Sequence, residues 1–109
     1  MKYSYAEYVP AFKVISDETR LKIIDMLSYG EMCACDILEE VSISQSTLSY
    51  HMKILSESGL VNATRCGAWM KYTLNKDRTN EVINFFRHIT IEKENCIRKS
   101  TGKKSCEEC

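Results

Sequence analysis

The chain has 109 residues, room for one small domain, and its 44% hydrophobic content lets it fold around a core modest enough to gain from self-association. Fifteen basic side chains against fifteen acidic ones leave a formal net charge of zero, so total charge gives no support to binding a polyanion. The first eight residues are polar and aromatic with no apolar leader core, and no apolar run approaches membrane-spanning length, so a cytosolic protein without a membrane partner is expected.

In chain order, Tyr5, Tyr8, Val9, Phe12 and Ile15 recur at helical spacing, and Pro10 either kinks that helix or starts it. Asp17 is a good N-cap for a second helix, with Leu21, Ile24, Met26 and Leu27 expected inside and Gly30 at its end. A short third helix is read from Cys35 to Val41, and Ser42-Ile43 form a turn. Ser44 then caps a fourth helix from Gln45 to about Ser58, closed by Gly59. Leu60 to Arg65 and Ala68 to Leu74 read as two strands joined at Cys66-Gly67, a hairpin in which Trp69 and Tyr72 supply packing. A last helix of about twenty residues starts near Lys76 and carries Val82, Ile83, Phe85, Phe86, Ile89 and Cys96 on one broad apolar face. From Lys99 the composition turns polar, so residues 1–98 form the domain and 99–109 a flexible, cysteine-containing tail. Mainly helical with a small hairpin, this is the element order of a winged helix-turn-helix.

Charge is unevenly spread along that order. Residues 31–40 hold Glu31, Asp36, Glu39 and Glu40 with no basic residue, whereas residues 42–73 hold Lys53, Arg65 and Lys71 against Glu57 alone. One face of a neutral protein can therefore be locally positive. In the fourth helix, Leu48, Met52 and Leu55 share an inward stripe, which puts Ser46, Ser49, Tyr50 and Lys53 on the outer face. Small hydroxyls, a phenol and a cation suit a surface lying in a major groove. His51 sits at the flank of this helix, where it either contacts DNA or makes a hydrogen bond inside the domain.

Six cysteines in a reducing compartment are read as ligands or redox thiols rather than a disulfide framework. Cys33 and Cys35 stand about ten residues ahead of the recognition helix. Two residues apart near a helix start, their side chains are expected to diverge by roughly 200° around the axis, so a mutual disulfide would be strained. A helix N-terminus favours thiolates, while Glu31 and Asp36 oppose them. Such acidic surroundings suit a ligand that arrives positive.

Three runs carry a family resemblance: Ser16-Asp17-Glu18-Thr19-Arg20-Leu21, Glu31-Met32-Cys33-Ala34-Cys35-Asp36-Ile37-Leu38, and Ser44-Gln45-Ser46-Thr47-Leu48-Ser49-Tyr50-His51-Met52. In this order they resemble the ArsR/SmtB family of dimeric winged-helix repressors, which leave their operators when metal ions or metalloids bind. The arsenic-responsive members are the nearest in pattern. The resemblance implies a homodimer paired through its first and last helices, bound to double-stranded operator DNA. It implies that arsenic(III) or antimony(III) is held by Cys33 and Cys35 as inducer, with no organic cofactor. Ser44, Gln45, Ser46, Thr47, Ser49, Tyr50, His51 and Lys53 are the implied contacts of the recognition helix, and Arg65 and Lys71 those of the wing.

Some arsenic repressors carry a third cysteine where this chain has Leu38. A trivalent metalloid prefers three soft donors, so Cys106 and Cys109, spaced C-x-x-C in the tail, are the next metal-ligand candidates. Cys96, Cys66 or an external thiol or hydroxide are the others. The paired Asp/His and His/Glu ligands of the zinc-responsive branch are not matched on the last helix, where His88 reads as a structural or solvent-facing histidine. Two other functions stay open. One is a thiol redox or cadmium/lead-responsive repressor of the same fold, and the other a metal-storing or protein-binding module without DNA. No nucleophile–base pair, phosphate loop or paired catalytic carboxylates is visible, so an enzyme is not expected.

Overall fold

The computed structural model describes residues 4–93. The elements run α1 (Tyr5–Ile15), α2 (Glu18–Leu27), β1 (Met32–Cys33), α3 (Ala34–Glu40), α4 (Gln45–Glu57), β2 (Val61–Cys66), β3 (Trp69–Leu74) and α5 (Lys76–Thr90). The expected tail, Cys96, Cys106 and Cys109 lie outside the described residues; α5 is shorter than the twenty or so residues expected, ending after 15 at Thr90 where Ile91 turns extended (φ −67°, ψ 141°).

Local chemistry sets most boundaries. The Asp17 carboxylate accepts the Arg20 backbone N–H at 3.0 Å and starts α2. Ser44 Oγ accepts the Thr47 N–H at 3.1 Å and starts α4, and Asn75 does the same for Arg78 in α5. The hairpin closes over Gly67-Ala68, one residue later than the sequence suggests. Cys66 pairs with Trp69, and Gly67 takes φ +66°, a conformation that costs a residue without a Cβ little.

Two expectations change. Helix α1 contains Pro10 within its span, so of the two readings, a kink or a start, the start at Pro10 gives way. The pyrrolidine has no N–H, so the Ala6 carbonyl gives up its intrahelical donor, while Tyr8 and Ala11 around it are buried. In α2 Leu27 is buried and Ile24 and Met26 pack half-buried against the core as expected, but Ile23 takes the inward place expected of Leu21, which is 50% exposed. Ile23 and Leu27 are four residues apart on one face, and this face meets α3 and α4.

The sheet also has one strand more than the sequence implies. Met32–Cys33 pairs antiparallel with β3, setting Met32 opposite Tyr72 and Cys33 opposite Lys71, in the strand order β1-β3-β2. Two residues are too short to leave a period-2 signature, so this strand is invisible to pattern reading.

Two apolar clusters hold the fold together. Ile23, Leu27, Ile37, Val41, Leu48, Met52, Leu55, Val61 and Tyr72 form the core beneath the helix-turn-helix and the sheet. Tyr8, Ala11, Leu60, Val82 and Phe85 tie α1 to α5, with Tyr8 stacked on Phe85 at 4.4 Å between ring centroids and Arg78 over the Tyr8 ring at 5.1 Å. Outside that second cluster, Tyr5, Val9, Ile83, Phe86 and Ile89 leave an apolar surface on α1 and α5.

Candidate metal centre and nucleic-acid interface

Cys33 occupies two roles at once. It ends β1 and is the N-cap of α3, with extended backbone (φ −86°, ψ 164°). Its sulfur accepts from the Asp36 backbone N–H and its own N–H donates to Asp36 Oδ2 at 3.4 Å, a capping box with cysteine in the place of serine. Because Cys33 is not yet helical, the angular spacing that holds along a helix does not apply. The two side chains do not diverge: the Cys33 and Cys35 sulfurs lie 2.7 Å apart. Both cysteines are free thiols, Cys33 half-buried and Cys35 exposed.

The electrostatics decide between the two opposing influences read from the sequence. The Cys35 thiol is held above its ordinary pKa of 9.0, first by its hydrogen bond with Cys33, then by burial and the neighbouring negative charges of Cys33 and Asp36. Proton sharing within the pair outweighs the pull of the short α3 on a thiolate. Asp36, read from the sequence only as a repelling charge, joins the site. Its carboxylate and the two sulfurs all lie within 4.8 Å of one another. This donor set suits a soft, thiophilic ion or metalloid, with two sulfurs as strong ligands and a hard carboxylate as a weak one. Cys66 stands apart, exposed at the end of β2, and His88 is exposed on α5; neither belongs to a donor cluster among the described residues.

The outer face of α4 is laid out as the periodicity predicts. Gln45, Ser46, Thr47, Ser49, Tyr50 and Lys53 are exposed, with Tyr50 60% accessible. The Ser44 hydroxyl is engaged in capping, with the Thr47 hydroxyl at 2.9 Å and that of Ser46 at 3.2 Å. Arg65 is exposed on β2 and Lys71 half-buried on β3.

His51 is the exception. It is 8% exposed, and its Nδ1 lies 3.0 Å from Arg20 Nη1. Arginine can only donate, so Nδ1 accepts and the imidazole proton resides on Nε2. Arg20 Nε also donates to the Val14 carbonyl at 2.7 Å, so one guanidinium ties α1 to α2 and α4. Of the two readings of His51, DNA contact gives way to the internal hydrogen bond. Trp69 is corrected too: it is 57% exposed at the start of β3, and only Tyr72 packs inside. The role of Arg20 was missed because its partners lie six and thirty-one residues away.

Comparison with known proteins decides the family. A profile described as bacterial regulatory protein, arsR family, matches residues 17–63, from the cap of α2 into β2. An arsenical resistance operon repressor of Staphylococcus aureus is 39% identical over 103 residues, covering 94% of this chain and 99% of that protein. The chain belongs to the ArsR family. The arsenical resistance operon repressor of Bacillus subtilis is 33% identical, with 92% of this chain and 90% of the relative covered. Among solved structures, an ArsR-like transcriptional regulator from Rhodococcus sp. RHA1 superposes with a TM-score of 0.75 at 25% identity, over 96% of this chain and 97% of the other. The protein is thus a transcriptional repressor of the ArsR family, with a DNA-binding winged helix-turn-helix in which α3 and α4 form the helix-turn-helix and β2–β3 the wing.

Proposed function

We propose that this repressor binds operator DNA as a cytoplasmic homodimer and is released when arsenic(III) or antimony(III) binds Cys33 and Cys35. One observation carries the reading: the two sulfurs lie 2.7 Å apart at a residue that is both the cap of α3 and the partner of Lys71 in the sheet. Relatives named arsenical resistance operon repressors support the choice of ligand.

The exposed hydroxyls of Ser46, Thr47 and Ser49, with Gln45 and Tyr50, reach base edges and phosphates in a major groove. The capped N-terminus at Ser44 faces a phosphate, Lys53 pairs with a neighbouring one, and Arg65 and Lys71 follow the backbone beside the wing. The apolar faces of α1 and α5 pair the protomers.

A trivalent metalloid, when bound, supplies short covalent links to both sulfurs. Cys33 then loses its hydrogen bond to the Asp36 N–H, the α3 cap loosens, and β1 shifts against β3. The wing and α3 move together because Cys33 belongs to both. A coupling of about 1–3 kcal/mol, usual for allosteric proteins, weakens DNA binding roughly five- to 150-fold.

Fluorescence anisotropy of the reduced protein on a duplex from its own upstream region tests this. Arsenite and antimonite release the wild type, and the Cys33→Ser/Cys35→Ser protein still binds DNA but ignores both. If that double variant leaves DNA on arsenite addition, the thiol pair is not the sensor. Release by peroxide alone would move it to redox sensing.

A further inference from the structure

Among the described residues, His51 is the one buried side chain that can gain a charge near neutral pH, and it sits on the recognition helix. Cys35 lines a cleft between α3, α4 and the wing, to which α4 contributes Gln45, Leu48, Ser49 and Met52. His51 is absent from that lining and meets α2 instead, so it acts on the helix apart from the thiols. Its Nδ1 accepts from Arg20 Nη1 at 3.0 Å, and Arg20 Nε donates to the Val14 carbonyl at 2.7 Å. The Arg20 backbone N–H is held by the Asp17 cap. Arg20 therefore cannot turn away from His51 without breaking its tie to α1.

A proton on Nδ1 removes the acceptor. The guanidinium has five donors and no lone pair to offer, so two N–H groups and two positive charges then face one another away from water. Of the other groups facing the ring, Asp17 on α2 attracts an imidazolium. Its carboxylate is already engaged by the Arg20 N–H and lies partly in water, which screens that attraction. On α1 the Val14 carbonyl is taken by Arg20, and on α4 itself the Tyr50 ring meets the imidazole edge-on at 5.4 Å. With Arg20 pinned, the side that yields is His51 and the helix that bears it. Tyr50, exposed beside it, carries the shift to the DNA face.

Resting on the operator-binding reading above and independent of the metalloid, we infer that Arg20 and His51 form a proton-operated latch on the recognition helix. The neutral imidazole holds α4 in its DNA-binding position, and uptake of one proton from solvent per protomer releases it. The operator-bound form excludes that proton, so affinity is full where His51 is neutral and is lost as the pH falls. This sign is diagnostic, because added positive charge ordinarily strengthens attraction to a polyanion.

The test follows anisotropy of the reduced full chain, free of metalloid, on the operator duplex and on an unrelated one. It compares about pH 7.5 with about pH 5, inside the interval where histidine ordinarily takes its proton. Operator affinity is expected to fall roughly tenfold, within the range usual for coupled sites, and more than on the unrelated duplex. Far-UV circular dichroism stays unchanged, so release is not unfolding. In His51→Asn, whose Oδ1 stands in for Nδ1 as an acceptor that does not titrate, the ratio of the two affinities stays near unity. His88→Gln, at the chain's other histidine, keeps the wild-type ratio. Should His51→Asn fail to fold, ring-nitrogen NMR of the wild type decides: Nδ1 of His51 carries no proton at the higher pH, and its protonation coincides with operator release. Affinity that holds or rises on acidification, a fall that survives in His51→Asn, or loss of helical signal with affinity overturns the inference while leaving the repressor standing. No operator binding at either pH overturns both.

Discussion

Cys35 gives up its proton reluctantly, because that proton is shared with Cys33 and the thiolate would face Asp36. The form in which a ligand arrives therefore matters. Arsenite is a neutral hydroxide at neutral pH, and each thiol proton leaves on a hydroxide that becomes water, so binding is proton-neutral. A divalent cation has no such acceptor and must expel the proton to solvent against the raised pKa. Arsenite affinity is expected to stay flat between pH 6 and 8, while cadmium affinity falls as the pH drops. Isothermal titration in buffers of different ionisation enthalpy checks both arms. Lys53 bears on the other ligand. As a phosphate contact, its replacement in Lys53→Ala should weaken operator and unrelated duplexes alike. The slope of log K against log salt should become shallower by about one unit per protomer.

Among the elements, α2 shows how a cap and a tie work together. Asp17 accepts the Arg20 N–H, and the Arg20 side chain reaches His51 on α4 and the Val14 carbonyl on α1. Asp17→Ala is expected to cost about 1 kcal/mol, lowering Tm by about 4–8 °C at fixed protein concentration. The Asp17 carboxyl is held below its ordinary 3.8, chiefly by that Arg20 N–H, with the nearby Arg20 charge adding to the effect. A depressed carboxylate stabilises above its unfolded pKa and loses that contribution as the pH falls through its folded one. The gap in Tm between Asp17→Ala and wild type should therefore be full at neutral pH and shrink well below pH 3.8. Thermal melts followed by circular dichroism at both pH values check the sign.

For the whole molecule, the apolar surface on α1 and α5 is the face through which the proposed homodimer is expected to pair. On α5 Ile83 and Phe86 are 51% and 54% exposed, and on α1 Tyr5 and Val9 are exposed as well, apolar area that a monomer leaves in water. A twofold interface uses each such residue twice. With about 1.5–3 kcal/mol per buried phenylalanine, Phe86→Glu should raise the dimer Kd by at least about a hundredfold. Sedimentation velocity measures this, an unchanged far-UV spectrum shows the fold intact, and operator affinity should fall with the dimer.

Periodicity and caps were legible because they are local. The stripe Leu48, Met52, Leu55, the caps at Asp17 and Ser44, and the glycine at the hairpin each express a preference of a few neighbouring residues. The C-x-C pair was also legible as a candidate site, because two cysteines one residue apart ahead of the helix-turn-helix stand out in the sequence. What the chain's order did not reveal depends on partners distant along it. Strand β1 exists only because β3 lies beside it, and that pairing makes Cys33 an extended cap and brings its sulfur onto that of Cys35. His51 turns inward because Arg20 waits for it from α2. The cleft beside Cys35 is assembled from α3, α4 and the wing, three segments that meet only when the core closes.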